Sequence, residues 1–163
     1  ILQSGARNVL NATIDGEAYG SNVVTLTQGG GDFNLLDLTS TGRDNTINID
    51  QSGNRNNATI NHSGVSSAVT VLQSGNDNAL NANISSYLGA FSSLQNGEGN
   101  VITANLSSGY NSMNLSQVGS FNTLNADLSG TRSFLNVSQE GSNLNATVNH
   151  SGAYSTVNLS QTN

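Results

Sequence analysis

The chain has 163 residues, of which 27 are Asn and 9% are charged, and Pro, Cys, Trp and Lys are absent, so a conventional globular core is not expected. Ten carboxylates against Arg7, Arg43, Arg55 and Arg132 give a formal charge of -6, and no basic stripe exists to neutralise phosphates, which excludes nucleic acid as a partner. Without cysteine there is neither a disulfide framework nor a thiolate metal site, and no apolar run approaches the roughly 20 residues that span a bilayer.

Taken in chain order, one residue sets the frame. Glutamine recurs at Gln3, Gln28, Gln51, Gln73, Gln95, Gln117, Gln139 and Gln161, and the last six are 22 residues apart. Glycine follows two places later at Gly5, Gly30, Gly53, Gly75, Gly97, Gly119 and Gly141. Asparagine follows five places later at Asn8, Asn56, Asn78, Asn100 and Asn122, and six places after Gln28 at Asn34. Disorder does not require such register; a stacked array does. The repeats fall near 1–21, 22–44, 45–66, 67–88, 89–110, 111–132 and 133–154, with a partial one at 155–163.

Within each repeat apolar and polar residues alternate with period two, which predicts strands with one buried face. Around Gln51 the inward set is Asn45, Ile47, Ile49, Gln51, then Asn56, Ala58, Ile60, His62; around Gln117 it is Asn111, Met113, Leu115, Gln117, then Asn122, Leu124, Ala126, Leu128. Each repeat is thus two strands, with links expected at 118–121 and 129–132 in the latter and tight turns at the Gly positions. A one-residue slip would turn every apolar side chain outward. The spacing Gln3 to Gln28 is longer, and so is Gln28 to Gln51, which places extra residues around 17–20 and in the run Gly29, Gly30, Gly31. The expected fold is an all-β solenoid domain over 1–163, about seven strand-turn-strand repeats forming two facing parallel sheets with cross-β stacking. One repeat cannot bury its own apolar face, but a stack can. Its Gln and Asn files would be satisfied by stacking amide on identical amide.

The unit Ser/Asn-x5-Gln-x-Gly-x2-Asn, at Asn45 to Asn56, Ser67 to Asn78 and Asn111 to Asn122, resembles the curlin repeat of bacterial curli fibres, over essentially the whole chain. The resemblance implies a secreted, homopolymeric subunit of an extracellular functional amyloid on a Gram-negative-type cell surface, supporting adhesion and biofilm matrix. It also implies a minor nucleator subunit and a dedicated outer-membrane secretion system as partners. The family's second glutamine, eleven places after the first, is here Ile14, His62, Ile84, Leu106, Leu128 or His150, so that file has become largely apolar. Leu144 stands where the Gln139 unit would have Asn, and Gly89 stands in the Ser/Asn place before Gln95. Lacking basic residues near Gln161, the chain looks like the major subunit.

Other chemistry finds little support. His62 and His150 share a phase, but four rungs, roughly 19 Å, separate them, too far for shared coordination, and no cofactor is expected. The run Gly29-Gly30-Gly31-Asp32 occurs once, whereas calcium-binding nonapeptides recur. No Gly-x-Ser-x-Gly elbow accompanies the scattered carboxylates, so no enzyme is expected. Asn-x-Ser/Thr sequons such as Asn57-Ala58-Thr59 are expected by chance in so Asn- and Ser-rich a chain. Tyr87, Tyr110 and Tyr154 fall in turns as exposed candidates for lateral contact. Asp44, Asp77, Asp127 and Glu140 form a solvated face that could slow premature aggregation. The alternative function is a monomeric binding solenoid, either an ice-binding protein, which would want regular Thr columns, or a carbohydrate-binding adhesin, which would want clustered aromatics or acids.

Residue 1 already sits inside a repeat, so any leader is expected to be missing or removed. The sequence begins and ends in strands, without an evident cap. Assembly is therefore expected at Asn8, Leu10, Ala12 and Ile14 of one copy and Ser155, Val157, Leu159 and Gln161 of the next.

Overall fold

Alternating apolar residues make strands, and the return of the pattern stacks them. The computed structural model describes residues 1–16, 20–85, 87–107 and 109–163. The first strands are β1 (Leu2–Gln3), β2 (Val9–Asn11), β3 (Val23–Gly29), β4 (Leu35–Asp37), β5 (Thr46–Asn54), β6 (Asn57–Thr59), β7 (Ala68–Asn76) and β8 (Ala79–Ala82). They are followed by β9 (Ala90–Glu98), β10 (Val101–Ala104), β11 (Ser112–Ser120), β12 (Thr123–Thr131), β13 (Phe134–Ser142), β14 (Asn145–Ala153) and β15 (Thr156–Thr162). Among the described residues there is no helix.

The odd-numbered strands form one sheet of eight and the even-numbered strands a second of seven. All pairings are parallel and join a strand to its counterpart one repeat on. The chain is thus a β-solenoid of about seven turns, roughly 34 Å tall at 4.8 Å per rung. From Gln51 onward the expected register holds: Gln51 lies beside Gln73, Gln73 beside Gln95, Gln95 beside Gln117, Gln117 beside Gln139 and Gln139 beside Gln161.

The longer early repeats are accommodated outside the strands. Leu2 pairs with Thr27 while Val9 pairs with Leu35, so one residue is inserted between Gln28 and Leu35. Ile14 bridges Ser40, whereas the Asn22 side chain accepts from the Asn45 backbone N–H, which puts the remaining extra residues between Ile14 and Asn22. The insertion expected around 17–20 lies, except for Gly20, outside the described residues.

The core is a dry seam between the sheets. Ile47, Ile49, Val69, Val71, Met113 and Leu115 enter it from the first sheet and Ala58, Ile60, Leu80, Ala82, Leu124 and Ala126 from the second. Its amides and one imidazole are equally shielded: Gln51, Gln73, Asn56, Asn78 and His62 are all buried.

Two expectations about strand extent are corrected. β11 runs to Ser120 and β12 to Thr131, so the links expected at 118–121 and 129–132 shrink to corners at Phe121 and Arg132, which take left-handed φ of 56° and 53°. Their N–H groups continue the ladder to the preceding rung, Phe121 to Glu98 O at 2.8 Å and Arg132 to Gly109 O at 3.2 Å. Those bonds help hold a conformation that costs an L-residue roughly 1–2 kcal/mol. Conversely, β6 stops at Thr59, short of the expected Ile60 and His62, because Asn61, His62 and Ser63 have φ of 64°, 49° and 113°. Ile60 and His62 remain inward and buried even though the pleat has ended.

Candidate functional site

The repeat itself is the candidate site, and its central element is the glutamine file. Each Gln places one amide hydrogen along the stack. Gln3 Nε2 donates to Gln28 Oε1 at 3.0 Å, Gln28 to Gln51 at 2.8 Å, Gln51 to Gln73 at 2.7 Å and Gln73 to Gln95 at 2.8 Å. Gln95 donates to Gln117 at 3.1 Å, Gln117 to Gln139 at 2.8 Å and Gln139 to Gln161 at 2.8 Å. The same nitrogen also reaches across the seam to a backbone carbonyl of the second sheet: Gln51 to Leu35 O at 3.1 Å, Gln73 to Asn57 O at 2.9 Å and Gln117 to Val101 O at 3.0 Å. One side chain therefore fixes the register of its own sheet and ties the two sheets together, so the buried amide's desolvation is compensated at every donor.

The asparagine file works differently from the amide-on-amide stack expected for it. Asn56 Oδ1 accepts the Asn78 backbone N–H at 3.1 Å, and Asn78 Oδ1 accepts that of Asn100 at 3.1 Å. Their Nδ2 groups donate to glycine carbonyls of the next rung, Asn34 to Gly53 at 2.7 Å, Asn56 to Gly75 at 2.8 Å, Asn100 to Gly119 at 2.8 Å and Asn122 to Gly141 at 2.9 Å. Asn8 Nδ2 reaches Gly31 O at 2.9 Å in the same way. The short side chain sits beside the corner and binds backbone; in this file, among the described residues, only Asn78 also reaches its neighbour's amide, Asn56 Oδ1, at 3.1 Å. Leu144 keeps only the backbone half of this arrangement, donating its N–H to Asn122 Oδ1 at 3.0 Å.

The glycines lie where these clamps close. A Cβ on Gly53 or Gly75, at φ 94° and 104°, would come within 1.9 and 2.0 Å of the next glycine's carbonyl oxygen. Gly5, Gly97 and Gly119 are equally hemmed in, and Gly141 would meet the Asn163 side chain. Gly30 is the exception among the expected turn glycines. Nothing lies within 4 Å of its Cβ position, and Gly31 stands in the file instead, with Gly53 O at 2.0 Å. Gly30 is the inserted residue of that turn, bulging outward.

A second clamp file, at the opposite corner, was not anticipated as a set. Asn22, Asn45 and Asn111 donate to Gly42, Gly64 and Gly130 carbonyls at 2.9, 3.0 and 3.0 Å. Ser133 donates to Gly152 O at 3.3 Å. The signal was the 22-residue spacing of Gly42, Gly64, Gly130 and Gly152, interrupted in sequence by Ser86 and Ser108, which lie outside the described residues.

The remaining candidates sit outside the core. Tyr87, Tyr110 and Tyr154 are exposed; the first two rings meet edge to face at 5.8 Å. Arg132 lies over the Tyr110 and Tyr154 rings at 5.4 and 5.3 Å and donates to the Tyr154 hydroxyl at 2.5 Å. Arg55 grips Asp77 through two parallel hydrogen bonds of 2.6 and 2.7 Å, which raise the guanidinium pKa and lower that of the carboxyl. Both groups are exposed, so the pair adds little to stability. His62 is buried, with Nδ1 3.4 Å from Ser40 Oγ and Nε2 without a partner, and burial lowers its pKa. His150 Nε2 lies 2.5 Å from Ser155 Oγ at the far end of the same file. Among the described residues no three His, Cys, Asp or Glu side chains are grouped to hold a metal, and no helix is long and apolar enough to cross a membrane.

Of the expected assembly residues, Leu10, Val157 and Leu159 are partly buried against the core, and Ile14 is exposed. Asn8, Ser155 and Gln161 are intermediate, and Ala12 is exposed. The structure puts β15 in the first sheet and β2 in the second, so these strands could meet across a rung but not along one sheet edge.

Residues 42–83 match the curlin associated repeat family. This segment carries the curlin repeat. The matched span contains the Gln51 and Gln73 rungs, and the same glutamine, asparagine and glycine files continue through the rungs on either side. No curated protein and no solved structure matches the chain. A curlin-repeat segment within a β-solenoid points to a structural protein rather than to an enzyme.

Proposed function

We propose that this curlin-repeat chain is the structural subunit of an extracellular, curli-like amyloid fibre that polymerises by strand addition and builds biofilm matrix and surface adhesion. The observation that carries this reading is the continuous glutamine ladder. A finite ladder of identical amides leaves an acceptor open at one end and a donor at the other, and another copy supplies both while adding backbone pairs. An interface that repeats without closing gives a filament. An exported subunit of this kind would depend on a secretion system in the outer membrane and on a nucleating partner, in line with the resemblance of the repeat.

The edge chemistry supplies the test. Phe134 N–H donates to Ser155 O, and by the same alternation Thr156 and Asn158 direct their N–H groups away from β13, towards an incoming strand. Proline at both, T156P with N158P, removes those donors without touching the core. Purified wild-type chain is expected to give thioflavin-positive cross-β filaments, and the double variant a lag at least about tenfold longer, since two lost hydrogen bonds of about 1 kcal/mol each exceed a factor of ten. Unchanged kinetics would remove strand addition at this edge, and a wild-type chain that stays monomeric at high concentration would favour a binding solenoid.

A further inference from the structure

The outward face of the first sheet carries four files, and the central one changes from large to small side chains between Leu94 and Ser116. One file runs Asp50, Leu72, Leu94 and then Ser116, Ser138, Ser160. The next towards the strand starts runs Asn48, Thr70, Ser92 and then Asn114, Asn136, Asn158, and the one beyond it Thr46, Ala68, Ala90 and then Ser112, Phe134, Thr156. On the other side come Ser52, Ser74, Asn96 and then Val118, Glu140, Thr162. The leucines form a ridge, with Leu72 39% exposed. The serines continue it as a furrow walled by the Asn114, Asn136 and Asn158 amides, which bond to one another at 2.9 and 2.8 Å. In the flanking files Phe134 and Val118 stand proud where the central file is low, and Ala68, Ala90 and Ser74 are low where it is high.

We infer that this face pairs with the same face of a second copy, about a two-fold axis parallel to the strands and level with the gap between Leu94 and Ser116, so that the two solenoid axes run antiparallel. That rotation keeps each file opposite itself and inverts its order. Leu94 then faces Ser116 of the second copy, Leu72 faces Ser138, and Asp50 faces Ser160. Phe134 falls over Ala68, and Glu140 over Ser74. In the amide file Asn114, Asn136 and Asn158 meet Ser92, Thr70 and Asn48, each able to donate or accept. No acid faces an acid in any of the four files. A two-fold related, self-complementary patch is the common way for copies of one chain to associate. Seven residues by six rungs measure about 23 by 29 Å, so the pair would bury about 1,300 Å² in total, within the range of an ordinary specific interface. The alternative two-fold axis, along the stack, would set Leu72 on Leu72 and Leu94 on Leu94 and hold the serine halves apart.

This pairing needs no end-to-end stacking, and the test separates the two. The chain has no cysteine, so L72C and S138C each introduce a single thiol on an exposed file. The two variants, mixed and treated with a bismaleimide carrying a two-carbon spacer, should give a covalent dimer. Neither alone should, because like positions then lie three rungs, about 14 Å, apart along the axis. An L72C homodimer would overturn the antiparallel arrangement, and filaments or soluble chain without any mixed dimer would overturn the pairing. Replacing the ridge, with L94D added to both cysteine variants and L72D to the S138C chain, should abolish the mixed product, and L72D with L94D alone should halve the width of any paired filaments in electron micrographs. Mixed dimers without filaments would count against polymerisation alone.

Discussion

At the scale of single residues, His62 shows what a departure from the repeat costs. It occupies the file that holds Ile84, Leu106 and Leu128, all fully shielded, yet it carries a ring nitrogen with no partner. Burial lowers its pKa below 6.5, the ordinary value it regains on unfolding. The unfolded chain therefore binds the proton first, and stability falls as pH drops below about 6.5, until the folded form is protonated as well. H62L should be more stable than wild type at pH 5 and less sensitive to the step from pH 7.5, as read from chemical denaturation midpoints at the two pH values. The backbone accepts the change, because Leu106 already takes φ 82° in this file where His62 takes 49°. Equal pH dependence in both proteins would refute the assignment.

Within a strand, neighbours on the inward face compensate one another. β9 holds Phe91, the one aromatic ring in the described core, in the file of Val69 and Met113. Two places on it holds Ser93, where Val71 and Leu115 flank it in the stack. Ser93 is buried and its hydroxyl has no partner. Ring and hydroxyl together fill about the volume of two valines, so the strand keeps its packing at the expense of one unsatisfied polar atom. S93A should raise stability by about 1 kcal/mol, whereas S93V should lower it by about 1–3 kcal/mol unless F91V is present too. A double-mutant cycle on thermal unfolding measures that coupling, and additive effects would mean that the two sites do not share space. The same strands show what was readable beforehand. Alternation with an unvarying period made β5, β7, β9, β11 and β13 legible with their register, because any slip would have exposed Ile47 or Met113. The early end of β6 was not legible, since it depends on left-handed backbone at Asn61, His62 and Ser63, residues with no common turn signature. The choice of Gly31 over Gly30 was hidden in a run of three glycines that only stacking against Gly53 distinguishes. The Asn clamps were misread as amide stacks because the partner of a short amide is decided by where the corner carbonyl points.

For the whole molecule the unit of stability is the rung and its two neighbours. Removing residues 67–88 should bring β5 against β9 with Gln51 beside Gln95, leaving a shorter solenoid that still unfolds cooperatively. Removing instead the single residue Thr70, inside β7 where no turn can absorb the slip, would turn the inward residues on one side of it outward and should abolish the cooperative transition followed by circular dichroism. Survival of both deletions would show that register is not enforced.

The glutamine ladder also has a direction. From Gln3 to Gln161 every Nε2 points the same way along the stack. A single filament of such units is an arrow, its tip offering hydrogens and its tail offering lone pairs, so the two ends meet newcomers with opposite chemistry and elongate at unequal speeds. Two arrows laid head to foot along the leucine ridge cancel: each end of the bundle then shows one tip and one tail, and it lengthens alike in both directions.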